Sequence, residues 1–446
     1  MRSALLGLFL FAACSLAAAD WPTYRADAAR SGQTAEALPA NLFPAWVFHA
    51  REKPRPAWPT SNRISFDLVH QPIVVGATVL IGTSADDRLL ALDIHTGQPR
   101  WTFVTSGPIR FAPVAWRDRV FLASDDGWLY ALALADGRLL WKCRGGPDDR
   151  KCLGNQRLIS RWPVRGGPVL FDKTLYFAAG IWPTDGVFLH AVDPDTGRIL
   201  WTNDRTGSLE MGQPHGGATA RSGVAPQGYL LADAERLYVP TGRAVPAVFR
   251  RSDGELLYYH LQKNQSVGGT RAMLLDQFFF NGGFLFDRAT GDMAARCGPG
   301  VVTPTGQGLL HLDQANLTAY TWADVEGRDR KGKSVHYRGL QPSADVPLAS
   351  TASDPALQAA LESKARLRDV YLTRMRFQPV ETDDRPASIN QYLAQSRREL
   401  ENVGVSVGPL WPTALDQTRE VIVAGPEAVC GGDGWVKIVD LAARRV

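Results

Sequence analysis

Reactive and metal-binding side chains are scarce in this chain. Its 446 residues hold five cysteines and eight histidines. No Cys-x-x-Cys and no His-x-x-x-His pair occurs, which excludes the common zinc spacings. The formal charge of +4 is small for this length, so the charge balance makes no case for nucleic acid or an anionic membrane as partner. Beyond one short apolar run at the N-terminus, no stretch is long enough to span a bilayer, which predicts no transmembrane span. What abounds is turn chemistry, with 42 glycines and 29 prolines in an otherwise ordinary globular composition.

The N-terminus reads as an export signal over residues 1–19. Arg2 is the basic region, Leu5 to Ala13 the apolar run, and Ala17-Ala18-Ala19 the cleavage site before Asp20. The alternative is Phe11-Ala12-Ala13-Cys14, a lipobox with Phe where Leu is usual, which would tether the chain by lipid at Cys14. Either route predicts a periplasmic or secreted protein. Export permits disulfides among Cys143, Cys152, Cys297 and Cys430. Cys143 and Cys152 face each other across a Gly-Gly-Pro loop, and either a local bridge or two half-buried thiols fits that spacing.

One sentence is repeated. Ala91-Leu92-Asp93-Ile94-His95-Thr96-Gly97 runs on to Trp101, Ala131 to Gly137 runs on to Trp141, and Ala191 to Gly197 runs on to Trp201. Each copy has Ala six before the Gly and Trp four after it. A β-rich run with its own turn precedes the first two copies, and Thr174 to Ala178 precedes the third. Strand, turn, strand, tight turn and a strand ending in Trp at a ~40-residue period predict a β-propeller blade. The register continues at Gly254 with Tyr258 and at Gly291 with Ala295. The intervals from Trp141 to Trp201 and from Trp201 to Tyr258 carry ~20 extra residues each, in Arg144 to Pro163 and Thr202 to Pro226. Such extra length sits in loops on one face, often the binding face.

After residue 300 the repeat weakens. Val301 to Leu340 offers strands of a sixth blade, and residues 353–404 read as a helical insertion opened at Ser353-Asp354-Pro355. The last repeat spans Val421 to Asp440. Leu42 to Phe48, with Trp46, predicts the missing outer strand of that last blade, closing the ring. The propeller is thus expected over 42–446 with seven or eight blades, whether or not Val446 is the natural end. Gly327 to Ser334 matches the phosphate-loop expression, but a strand follows it instead of the required helix, so it reads as an exposed hairpin turn.

The Ala-x-Asp-x-x-Thr-Gly-x-x-x-Trp sentence resembles the repeat of pyrroloquinoline-quinone (PQQ)-type propellers, in which the Trp packs between blades. Residues 42–300 carry the resemblance well and 301–446 poorly. The runs Ser160 to Pro168, Ala179 to Pro183 and Ala225 to Leu230 are similar to secreted bacterial PQQ-like repeat proteins. The resemblance implies an all-β propeller. It also implies two functional classes, a non-catalytic binding propeller and a PQQ-dependent alcohol or sugar dehydrogenase with calcium. The dehydrogenases would show adjacent cysteines, a Glu/Asn/Asp calcium site and an Asp base. Here no two cysteines adjoin, Glu210 and Asn203 match no ligand pattern, and Asp93 and Asp193 belong to the repeat turns.

Arg110 and Arg165 occupy matched positions at the starts of two innermost strands, aimed at the central mouth. With Arg161, Trp162, Trp182 and Gln227 in adjoining loops, they predict a positive, aromatic-rimmed funnel. Guanidinium forks suit carboxylates and stacked rings. The expected occupant is therefore a small anionic or planar ligand or a protein partner, and no catalytic residue or metal ligand is assigned.

Overall fold

The computed structural model describes residues 20–58 except 40, 41 and 44; residues 71–342 except 214–216, 243–244, 262–268, 297–299, 306–307, 313–316 and 329–333; and residues 418–443 except 433–434. The leader 1–19 with Cys14, the region 353–404, and Cys297 lie outside the described residues.

Among the described residues seven sheets follow one another; five are antiparallel meanders of four consecutive strands, and the third is such a meander extended by Gly228–Tyr229, which pairs parallel with its first strand. Taken in chain order, their first strands are Ile73–Val75, Val114–Trp116, Gly166–Phe171, Leu231–Ala232, Ala272–Leu275, Val301–Thr305 and Thr418–Ala424. The seventh has three meander strands and is completed by Gln33–Thr34, which pairs parallel with Thr418–Ala424. The fold is an all-β propeller. Apolar clusters join each sheet to the next in chain order, from the first to the seventh. One cluster joins Leu80, Leu89 and Ile73 of the first sheet to Val120 and Leu122 of the second, and the next joins Phe121 and Leu129 to Leu175 and Phe177.

The repeated sentence has a physical reason. Each closing Trp reaches over the tight turn of the following sheet. Trp101 donates from Nε1 to the Leu134 carbonyl at 3.0 Å, Trp141 to Pro194 at 3.3 Å and Trp201 to Arg251 at 3.1 Å. The ring then lies flat against the turn glycine, where a Cβ would sit 2.5 Å from Trp101 at Gly137, 2.7 Å from Trp141 at Gly197 and 2.5 Å from Trp201 at Gly254. Those glycines also have φ between +73° and +74°. Only glycine meets both demands. Tyr258 makes the same contact with Gly291, its hydroxyl donating to Arg288. Asp93 and Asp193 each accept two amides of their own turn.

Closure uses other residues than the repeat predicts. Trp46 takes the plug position of the first sheet, donating to the Ile94 carbonyl at 2.7 Å and covering Gly97. Leu42 to Phe48 nevertheless forms no ladder among the described residues; the N-terminal strand of the seventh sheet is Gln33–Thr34. The hairpin reading of Gly327 to Ser334 holds, since Leu317–Arg328 pairs with Ser334–Pro342 across it.

The central hole is filled by the segment Trp21 to Thr34, which lies ahead of the first repeat. It bonds to the inner strand of every one of the seven sheets. Trp21 exchanges two backbone bonds with Val74, and the Pro22 carbonyl accepts from Ala115. The Arg30 side chain reaches the Pro168 carbonyl at 2.9 Å and the Leu230 carbonyl at 2.9 Å. Ala28 accepts from Ala232, Ala29 from Leu274 and Gly32 from Val423. Arg25 reaches the Val302 carbonyl at 2.6 Å and the Thr303 hydroxyl at 2.7 Å. Arg30 is fully buried, and its fork is answered by Thr23, Tyr24, Asp27, Pro168 and Leu230 oxygens. Burial pulls its pKa down to about 10, so it stays charged at neutral pH.

Two outcomes check this architecture. Trp101→Ala is half-buried at its site and should lower unfolding free energy by about 3 kcal/mol in urea titration. Arg30→Met strands five acceptors at the axis, so it should destabilise the whole ring by a comparable ~3 kcal/mol. A loss confined to the N-terminal segment, seen as local amide exchange with an unchanged global midpoint, would show that the segment is an appendage.

Candidate functional site

Two ends of the propeller differ. In a four-strand meander, the loops that lead into each first strand share an end with the loops between second and third strands. All the long insertions are of these two kinds. Residues 144–163 carry the hairpin Lys151–Gly154 with Arg157–Ser160, residues 179–186 carry a short 3-10 turn at Pro183–Asp185, and residues 202–226 carry the hairpin Glu210–Gly212 with Thr219–Arg221. Arg110 and Arg165 stand just before their inner strands, at this same end.

The two arginines converge on one carboxylate. Asp125, in the loop between the second and third strands of the second sheet, accepts from Arg110 Nε at 2.5 Å, from Arg165 Nε at 2.5 Å and from Arg165 Nη2 at 2.9 Å. All three side chains are buried, at 1%, 3% and 1% exposure for Arg110, Arg165 and Asp125. Burial alone would raise the Asp125 pKa, but Arg165 and Arg110 outweigh it and hold the carboxyl below its ordinary range. Arg110 also donates to the Arg55 carbonyl at 2.7 Å, which ties down a strand of chain crossing the mouth.

Beside this triad lies a second one. Glu420 takes Arg25 on one oxygen and Arg271 on the other at 3.4 Å. The two triads flank a small cavity of ≈ 30 Å³, lined by Tyr24, Phe111, Arg110, Arg165, Gln227 and Arg271 among others. Its floor is Tyr229, stacked on Tyr24 with centroids 3.7 Å apart and planes 9° apart. Because Tyr24 belongs to the axial segment, the cavity is a blind cup. Arg55 to Trp58 passes over it. Trp58 donates to Gln227 Oε1 at 3.0 Å and meets Trp182 edge-on at 5.3 Å.

The sequence-derived candidates thus fall into two groups. Arg110, Arg165 and Gln227 line the cup. Trp182 stands outside it on the rim, 44% exposed. Arg161 and Trp162 do not line the cup. Arg161 bonds Asp185 at 2.5 Å, and Trp162 is buried over Gly146 with its Nε1 on the Asp185 carbonyl. Cys143 and Cys152 are free thiols, so the local bridge does not form. Asp125, Arg271, Glu420 and Tyr24 were not foreseen. Asp125 had little signal, since in the 40-residue register it stands where Ala85 stands in the first repeat, and the acidic position the two repeats share is Asp86 and Asp126. Tyr24 and Arg25 lie outside any periodicity.

This donor set does not fit a quinone with calcium. A cup of ≈ 30 Å³ is far below the several hundred Å³ that a ring system of that size occupies. Among the described residues, the two carboxylates beside the cup, Asp125 and Glu420, are each engaged by arginines. Among the described residues no group of three or more His, Cys, Asp or Glu converges to hold a metal. No helix among the described residues is long and apolar enough to cross a membrane.

Removing Asp125 should therefore hurt. Asp125→Asn leaves two buried arginines without their counter-charge and should cost about 3–5 kcal/mol at pH 7. The sign with pH follows from the depressed pKa. The Asp125 contribution is present above the unfolded value of 3.8 and is lost as pH falls through the lower folded value. Urea midpoints of wild type and variant should approach each other below about pH 4; a constant gap down to pH 2 would contradict the pairing.

Comparison with known proteins adds the following. Residues 46–160 match the family described as outer membrane protein assembly factor BamB. Among curated proteins no sequence match is found. Among solved structures, the chain is similar to quinohemoprotein alcohol dehydrogenase from Comamonas testosteroni, with 14% identity, 95% of this chain and 72% of that one covered, and a TM-score of 0.49. A europium-containing methanol dehydrogenase gives 13% identity, 96% and 84% coverage and a TM-score of 0.48. BamB from Moraxella catarrhalis gives 16% identity, 59% and 82% coverage and a TM-score of 0.31. The matched segment covers about a quarter of the chain, which is similar to that family over its first blades, and the sheets of the described residues are those of a β-propeller.

Proposed function

We propose that this protein is an exported, non-catalytic PQQ-like propeller that binds an anionic ligand or a protein partner at its mouth. The observation that carries this reading is the blind cup, whose lining among the described residues includes Arg110, Arg165 and Arg271 and no carboxylate. Such a site attracts negative charge and offers no acid, base or nucleophile poised for chemistry. Arg110, Arg165 and Gln227 form its wall, and Trp182 its rim. Arg161 and Trp162 support the rim from behind by fixing the loop at Asp185. Residues 1–19 serve as the export signal. Cleavage after Ala19 leaves Asp20 as the first residue. Asp20 caps the Gly76 amide at 2.7 Å, directly ahead of the axial segment.

The alternative class is a PQQ-dependent dehydrogenase, and one experiment separates the two. The mature protein is incubated with PQQ and Ca²⁺, desalted, and assayed for a bound-quinone spectrum and for dye reduction with alcohols and sugars. The expected result is neither. A stoichiometric quinone spectrum with substrate-dependent dye reduction would overturn the proposal.

A further inference from the structure

At the end opposite the mouth, the second strand of each sheet begins beside the tight turn of the sheet that follows. Three of the first four sheets lay an arginine along that groove, and the third does not. We infer that the groove between the third and fourth sheets receives an arginine side chain from an extended segment of a partner protein.

The ring itself supplies the model for this contact. In the second sheet the first residue of the second strand is Arg119, which crosses to the third sheet and donates from Nη1 to the Asp195 carbonyl at 3.1 Å. In the fourth sheet it is Arg236, which crosses to the fifth and donates from Nη1 to the Arg288 carbonyl at 2.7 Å. In the first sheet it is Thr78, and Arg100 of the fourth strand lies over it, donating to its hydroxyl at 3.1 Å. In the third sheet it is Thr174, and Leu200 stands in the place of Arg100. Threonine is too short to make the crossing and leucine has no donor.

The result is a cavity of ≈ 720 Å³ between the third and fourth sheets. Otherwise it is furnished like the groove between the fourth and fifth. Tyr176 holds the strand position of Tyr238. Arg251 holds the turn position of Arg288. Arg251 reaches back to the Ala234 carbonyl at 2.8 Å and lies 3.6 Å from Asp172. Arg288 reaches back to the Asp276 carbonyl at 2.6 Å and pairs with Asp233. Arg236 and Arg288 share their groove, so a second guanidinium beside Arg251 repeats an arrangement that the protein already holds.

An incoming arginine meets acceptors of the right kind. Ser252 has in the fourth-sheet turn the place that Asp195 has in the third, so its carbonyl stands where Arg119 finds its own acceptor. Glu235 lines the groove and adds a carboxylate, the group that a guanidinium fork suits. Trp201 lines it too, and guanidinium is favoured against aromatic rings. The volume exceeds what one side chain needs, which leaves room for the main chain on either side of the arginine. Leu200 and Leu257, exposed at 43% and 40%, form apolar lips for its neighbours. Room and lips together favour a protein segment over a small guanidino compound.

Calorimetry on the full mature chain tests this with a peptide capped at both ends, carrying one arginine between leucines. One control has citrulline instead, which keeps the shape and removes the charge. Another has lysine, which keeps the charge and removes the fork. The arginine peptide should bind about tenfold tighter than either. Thr174→Arg should abolish that binding, because the chain then fills its own groove, with the melting temperature unchanged or raised. Glu235→Gln, at an exposed position, should weaken binding about threefold.

Equal binding of the arginine and citrulline peptides would sink the inference, as would wild-type affinity in Thr174→Arg. Should Thr174→Arg fail to fold, wild-type affinity in Glu235→Gln has the same force. Arginine amide binding as tightly as the peptide would reassign the groove to a small guanidino compound. A dimer in sedimentation that Thr174→Arg dissociates would make the donor a second copy of this chain. Either result overturns the assignment to a separate partner.

Discussion

A ring of sheets leaves its inner strands with one edge facing the axis, and those backbone groups need partners as much as any others. Here a single stretch, Trp21 to Thr34, supplies them to all seven sheets. The stretch has no regular secondary structure until its last two residues. It works because its arginines reach where its backbone cannot. Arg30 spans from the third sheet to the fourth and Arg25 from the sixth to the seventh, each bonding main-chain carbonyls of both neighbours. Everything at the mouth stands on this filling, since Tyr24 is the underside of the cup floor.

The electrostatics of the mouth follow the same economy. A buried carboxylate is tolerated only when paired and hydrogen-bonded, and a buried guanidinium likewise. Asp125 between Arg110 and Arg165, and Glu420 between Arg25 and Arg271, are satisfied in this way. Each of these triads joins residues from different sheets. Asp125 links the second sheet to the third, and Glu420 joins the axial segment and the loop before the fifth sheet to the seventh. The ion pairs of the mouth are therefore also a fastening between blades.

The repeat and the mouth are built at different ends of the sheets. The Trp–Gly contacts that build the ring involve the turns at the opposite end of the sheets, so they place no demand on what fills the mouth. The fold fixes a cup; the residues lining it decide the ligand. In this chain arginine and tyrosine line that cup.

The sequence by itself determined the blades. Period, strand content, tight turns and the plug tryptophans are local features, and a glycine pressed against an indole at positive φ leaves a fixed spacing that can be read directly. It also placed Arg110 and Arg165 at one mouth, because matched positions in a repeat must end up in matched places. Tertiary structure alone decided what those arginines face. Asp125 is 15 residues from Arg110 and 40 from Arg165, and Glu420 is 395 from Arg25. Such pairings have no periodicity and depend on which loops the closed ring brings together. The axial segment was illegible for the same reason. Its fourteen residues form no repeat and no amphipathic pattern, and their partners are backbone groups of seven sheets, which no side-chain pattern in the sequence announces.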